Sequence, residues 1–114
     1  MNPRLPDPAS GCELTPAQVH GLLPAISRGE IDLVDCREDD EWRINRLPGA
    51  RLVPLSRFGE APLPDKPVIL YCHHGMRSLR AATYWRSRGL EAIWSMSGGI
   101  HRWSAEIDPA VPVY

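Results

Sequence analysis

The stretch Val68-Ile69-Leu70-Tyr71-Cys72-His73-His74-Gly75-Met76-Arg77-Ser78 decides how this chain is read. Val68 to Tyr71 is a continuous apolar run rich in β-branched and aromatic residues, as expected of a strand buried on both faces. Cys72 leaves that strand, five residues turn, and Ser78 is placed to cap the next helix. From Ser78 to Arg88 the apolar residues Leu79, Ala82 and Trp85 recur at three-residue steps among arginines, which predicts an amphipathic helix ended by Gly89. A turn of this kind can aim successive backbone N–H groups inward as an anion nest, and the helix N-terminus adds partial positive charge. A thiol held there should lose its proton readily, and the thiolate is the reactive form. Arg77 and Arg80 stand at a helix start, where the dipole disfavours cations, a placement that makes sense if an anion occupies the loop. Arg86 and Arg88 sit where the dipole favours them. Taken alone, a cysteine at a strand end reads as inert packing as readily as it reads as a nucleophile.

Outward from the loop, strands and helices alternate. Thr15-Pro16 reads as an N-cap with proline at the first helical position, opening a helix to Leu23 that Pro24 ends or kinks. Ile31–Asp35 is a short buried strand. Glu38–Arg43 runs from acidic to basic, the order a helix dipole favours, and Asn45 is suited to a left-handed C-terminal cap. Pro48-Gly49 is a turn before the strand Arg51–Val53, and residues 56–67 are loop-like. Ala92–Trp94 predicts another strand, Gly98-Gly99 a turn, and Ile100, Trp103 and Ile107 the inner stripe of a last helix. Apolar strands alternating with helices predict an α/β fold with a mostly parallel sheet covered on both sides. In such sheets ligands sit beyond the carboxyl ends of the strands, which is where Cys72 lies.

The 114 residues make one domain, read as 13–114 behind a flexible, proline-marked lead-in over 1–12. A net charge of −1 builds no field for nucleic acid or an anionic membrane, and no apolar run is long enough to span one. Lys66 is the only lysine among 13 basic residues, so planar arginine recognition of anions is readily available. Prolines interrupt the first residues where an export signal needs an apolar run, so a cytoplasmic location is expected. Three cysteines, Cys12, Cys36 and Cys72, suit neither a disulfide framework nor a CxxC motif; a reducing compartment with a working thiol fits better.

The Cys72–Ser78 loop resembles the active-site loop of rhodanese-like sulfurtransferases. Three further segments resemble the same family in the same order: Asp35-Cys36-Arg37-Glu38 with Glu41-Trp42, Leu47-Pro48-Gly49-Ala50, and Gly98-Gly99-Ile100 with Trp103. The likeness runs from about Thr15 to Tyr114. It implies a three-layer rhodanese-like fold with a mostly parallel sheet of about five strands flanked by helices. It implies a two-step reaction as well. Cys72 takes the sulfane sulfur of a small donor such as thiosulfate or a persulfide, and the Cys72 persulfide passes it to cyanide, a cellular thiol or a protein acceptor. The loop His73, His74, Gly75, Met76, Arg77 and Ser78 is then the persulfide cradle, with Arg77 its main charged binder. No cofactor is implied. Cys36 replaces the family's usual hydrophobe, and Asn45-Arg46 its usual Gly-His pair.

Other residues carry open alternatives. Asp35 and Arg37 share the edge with Cys72; the resemblance implies that they form a supporting ion pair or hydrogen-bond set beneath the loop, with Arg37 reaching the donor, and the plain alternative is a solvated charge pair. Cys36 is either a resolving thiol for Cys72 or packing, since strand alternation turns it from the side of Asp35 and Arg37. Cys12 reads as incidental. His73 and His74 are chain neighbours without further ligands in the sequence nearby, so no metal is expected. Trp42, Trp85, Trp94 and Trp103 read as core. Two rival functions remain: a cysteine phosphatase or arsenate reductase, and a non-catalytic persulfide carrier or docking module. Only four residues separate Cys72 from Arg77, one fewer than phosphatases use, which makes a cradle sized for sulfur.

Overall fold

Five short strands and five helices alternate along the chain in a computed structural model that describes residues 5–114. The first four residues of the expected lead-in lie outside the described ones; within the rest of it, Pro8–Ser10 forms one 3-10 turn. The strands are β1 (Glu13–Leu14), β2 (Asp32–Asp35), β3 (Arg51–Leu52), β4 (Val68–Tyr71) and β5 (Ile93–Met96). Their order in the sheet is β1-β5-β4-β2-β3, and every pairing is parallel. All carboxyl ends therefore meet at one edge. The register Asp35↔Tyr71 places the residues that follow, Cys36 and Cys72, side by side there.

Alternation along the strands sorts the core into two layers. Leu33, Ile69, Tyr71, Trp94 and Met96 pack against α1 (Pro16–Gly21), α2 (Leu23–Ser27) and α5 (Gly99–Glu106). On the other face Val34, Cys36, Val68, Leu70, Cys72 and Ile93 meet Ala81, Ala82 and Trp85 of α4 (Met76–Ser87), with Phe58 from the 3-10 segment Leu55–Glu60. Trp85, Trp94 and Trp103 are fully buried, and truncating a buried tryptophan to alanine costs about 3–5 kcal/mol. The expected three-layer fold is what the chain adopts.

Several local expectations are corrected. The first helix breaks at Leu22 because Pro24 sits in the opening turn of α2, where a missing N–H costs nothing. Thr15 does cap α1, exchanging hydrogen bonds with Gln18 at 3.1 and 2.8 Å. The two-residue β1 was too short to leave a periodic signal. Trp42 is half-buried on the exposed helix α3 (Asp39–Ile44), its ring covered by the Arg46 guanidinium at 4.2 Å. Asn45 is extended (φ −160°, ψ 167°), not left-handed, because its side chain is drawn into the buried contacts described below.

Candidate active site

The Cys72 sulfur lies where β4 gives way to its loop, 1% exposed, with hydrogen-bond donors turned onto it. The backbone N–H groups of Gly75 and Ser78 reach Sγ at 3.1 and 3.3 Å, and Ser78 Oγ stands 3.4 Å away. Ser95 Oγ from β5 backs Ser78 Oγ at 2.7 Å, so a chain of hydroxyls can orient its last proton to the sulfur. Cys36 lies one strand over, at the end of β2 and on the same face of the sheet. As a donor it is the largest influence lowering the Cys72 pKa from 9.0 to about 5; burial opposes it, and Ser78 and the loop amides add to it. Cys36 is pushed strongly up by the Cys72 sulfur and by burial. Between the two thiols a negative charge is favoured on Cys72, where the amides and hydroxyl are.

Two glycines set the loop's shape. Gly75 precedes α4 with φ +100°, in the left-handed region, and turns its own N–H toward Sγ. Helix α4 therefore begins at Met76, not Ser78. Ser78 falls within the first turn and faces the sulfur instead of capping the helix, because Gly75 already makes the turn. Gly99, at φ +62°, opens α5 directly under the loop, and the next amides, Ile100 and His101, donate to the carbonyls of Cys72 and His73 at 2.9 and 3.1 Å. One helix N-terminus thus holds the loop's carbonyls while the start of another presents its amides to the sulfur.

Around this sits a chain of charged groups that sequence reasoning saw only in part. Asp35 and Arg37 are both fully buried and paired at 2.6 Å. Arg37 uses every N–H it has: Nε and Nη2 on Asp35, Nη1 on Asn45 Oδ1 and Tyr114 Oη, Nη2 also on the Asn45 carbonyl. No donor is left for a substrate, which corrects the expectation that Arg37 reaches one. Tyr114 Oη donates its own proton to Glu41 at 2.7 Å, and Glu41 grips Arg77 with both oxygens at 2.6 and 2.8 Å. Arg77 beside Glu41, aided by Tyr114, holds that carboxyl down at about 2. Arg77 thus meets the site as half of an ion pair. Arg80 is exposed. Glu41 was visible only as part of a motif, and Tyr114, from an unstructured tail, gave no signal.

His73 stacks on Tyr114 (3.9 Å, 10°) and meets His74 with its ring tilted (3.9 Å, 33°), and His101 from α5 joins them. One nitrogen from each histidine lies within 4.8 Å of the others, a meeting the sequence did not show because His101 is remote along the chain. Burial and the neighbouring His74 push the His73 pKa down, which keeps its ring neutral.

The Cys72 thiolate makes a pH prediction. Its folded pKa lies below the ordinary 9.0, so its stabilisation is complete above that value and is lost as pH falls through about 5. Thiolate absorbance in the ultraviolet is expected to titrate near 5. Stability should rise with pH between those two values and stay flatter over that window in Cys72→Ser.

A doubly wound domain that turns two amides of its own loop onto a buried strand-end sulfur belongs to the class of cysteine-loop α/β proteins. Comparison with known proteins narrows this: the model of the rhodanese-like domain matches residues 19–106, and the chain belongs to that family. Rhodanese-like/PpiC domain-containing protein 12, chloroplastic, of Arabidopsis thaliana is 36% identical over 92 residues, covering 75% of this chain and 31% of the relative. With this relative and two others among the most similar, the chain spans under a third of the relative's length. The thiosulfate sulfurtransferase GlpE of Pseudoalteromonas translucida (strain TAC 125) is 28% identical over 86 residues, 73% of this chain and 82% of that one. The crystal structure of a rhodanese homologue from the extremely thermophilic bacterium Thermus thermophilus superposes with TM-score 0.60 at 34% identity, covering 77% of this chain and 95% of that one. Among the described residues no helix is long and apolar enough to cross a membrane.

Proposed function

We propose that the protein is a sulfurtransferase in which Cys72 carries sulfur as a persulfide. One observation carries the reading: a buried sulfur receives the Gly75 and Ser78 amides with the Ser78 hydroxyl beside it, an environment that favours an anion at that point. The Cys72 thiolate attacks the outer sulfur of thiosulfate; the S–S bond breaks, and sulfite leaves with the bonding pair. The persulfide S–S⁻ keeps its charge beside the same donors. Cyanide, or a thiol, then attacks the terminal sulfur, forms thiocyanate or a new persulfide, and returns Cys72 as thiolate. His73–Ser78 supply the cradle, and Asp35 with Arg37 hold the strand end beneath it. Three free cysteines suit a reducing compartment such as the cytoplasm. A phosphatase needs its loop arginine free for a phosphoryl group, whereas Arg77 is tied to Glu41. The test is intact mass after thiosulfate: one added sulfur, mapped to Cys72 and removed by cyanide. Sulfur gained elsewhere, or none, ends the proposal.

The Arg77–Glu41 pair separates charge from structure. Arg77→Ala leaves the Glu41 carboxylate unbalanced at the rim, so KM for thiosulfate should rise about tenfold, a change of ~1.4 kcal/mol. A neutral persulfide donor should lose much less, and Glu41→Gln should move thiosulfate the other way. Equal losses for both donors would mark Arg77 as purely structural.

A further inference from the structure

We propose that Cys36 is a resolving thiol that closes a disulfide with Cys72 when the catalytic sulfur is oxidised, and so protects it from irreversible damage. This rests on the reading of Cys72 as the sulfur-carrying nucleophile.

Three observations place the two thiols for this reaction. Asp35 and Tyr71 are register partners, and Cys36 N–H bonds the Tyr71 carbonyl at 3.0 Å, so the two cysteines follow one another across neighbouring parallel strands. Neighbouring strands lie about 4.8 Å apart, inside the range of backbone separations that disulfides bridge. Alternation turns Cys36 away from Asp35 and onto the face shared by Val34, Leu70 and Cys72, where both cysteines join one core cluster. Third, both thiols are free and enclosed in the same layer of the core. Cys12 is no competitor, since it lies beside Arg86 at the other end of α4. Packing alone asks only for a small apolar group at this position; a thiol on the same face beside the Cys72 sulfur is a more specific choice.

The chemistry balances with a hydroperoxide as oxidant. The Cys72 thiolate attacks the peroxide oxygen, giving Cys72 sulfenic acid and releasing the alkoxide or hydroxide. The Cys36 sulfur then attacks the sulfenic sulfur; its proton leaves with the hydroxyl as water, and the Cys36–Cys72 bond forms. Two electrons have passed from the thiol pair to the peroxide. A small dithiol restores both thiols. Without Cys36, a second peroxide meets the sulfenic acid and drives it to sulfinate, which no thiol reverses.

The experiment treats wild type, Cys36→Ser and Cys36→Ala with hydrogen peroxide, blocks free thiols with iodoacetamide, and reads peptides by mass and activity after dithiothreitol. Wild type should yield a Cys36–Cys72 cross-linked peptide that dithiothreitol removes, with activity recovered. The two variants should accumulate Cys72 sulfinate and recover about tenfold less of their own starting activity. Wild type showing Cys72 sulfinate beside freely alkylated Cys36, or equal fractional recovery in all three, overturns the inference. The wild-type cross-link is independent of how well either variant folds. If thiosulfate still loads sulfur on Cys72 in untreated protein while peroxide gives no cross-link, only the resolving role fails. If Cys72 takes no sulfur at all, the parent reading has failed first.

Discussion

Cys72→Ser is expected to lower thiocyanate production from thiosulfate and cyanide by about ten-thousandfold, while leaving the fold intact. The serine hydroxyl keeps its proton at neutral pH, so the amides of Gly75 and Ser78 that favour an anion find none to hold. The same donors still meet an acceptor oxygen, and the Asp35–Arg37 pair nearby is untouched, so circular dichroism should superimpose on that of wild type. Cys12→Ser serves as the matched control: its thiol is remote from the loop, and its activity should be that of wild type. A Cys72→Ser protein within tenfold of wild type would show that sulfur is handled elsewhere, with Cys36 the first place to look.

The strength of that expectation comes from a part of the molecule that is legible in the residues themselves. A four-residue apolar strand, a cysteine and a glycine-bearing turn are local features, each with its own composition, and together they announce a strand–loop–helix with a thiol at the sheet edge. Parallel order followed from apolar strands alternating with helices. What stayed hidden was whatever depends on distant residues meeting. Glu41 and Arg77 are far apart in sequence and bond in a fork; Tyr114 joins Arg37 to Glu41 from the far end of the chain. Arg77 therefore looked like a free cation, and Arg37 like one able to reach outward. Asn45 looked like a helix cap because its residue type is common there, yet tertiary demand won: its amide and carbonyl serve Arg37, and its Nδ2 serves the Pro112 carbonyl.

Cys36 shows both sides of this. Strand alternation correctly turns it from Asp35, and within its own strand that reads as a turn away from the chemistry. The sheet register decides otherwise. Cys72 is on the same face, one strand over, so the turn that removes Cys36 from the ion pair delivers it to the sulfur. Period alone cannot show this, because pairing between strands is nonlocal information.

Gly99→Ala is expected to destabilise the protein by about 4 kcal/mol, combining ~1–2 for a left-handed alanine with ~1–3 for forced overlap. A Cβ at Gly99 would stand 2.4 Å from the carbonyl oxygens of both Cys72 and His73, and 2.5 Å from the His73 carbonyl carbon. These are backbone atoms, unable to rotate aside as a side chain would. They are also the atoms that Ile100 and His101 hold, so relief means lifting the cysteine loop off α5 and turning its amides from Sγ. Activity should fall with stability, and the Cys72 thiolate should titrate nearer its ordinary value. Gly89→Ala provides the comparison: Gly89 is also left-handed (φ +110°), but a Cβ there meets nothing within 4 Å. It should cost only about 1–2 kcal/mol of backbone strain and leave the thiolate unchanged. Urea unfolding of the two variants, with thiolate absorbance read on each, isolates the contact from the conformation. If Gly99→Ala proves no less stable than Gly89→Ala and its thiolate titrates as in wild type, then the seam between α5 and the loop is not what aims the amides.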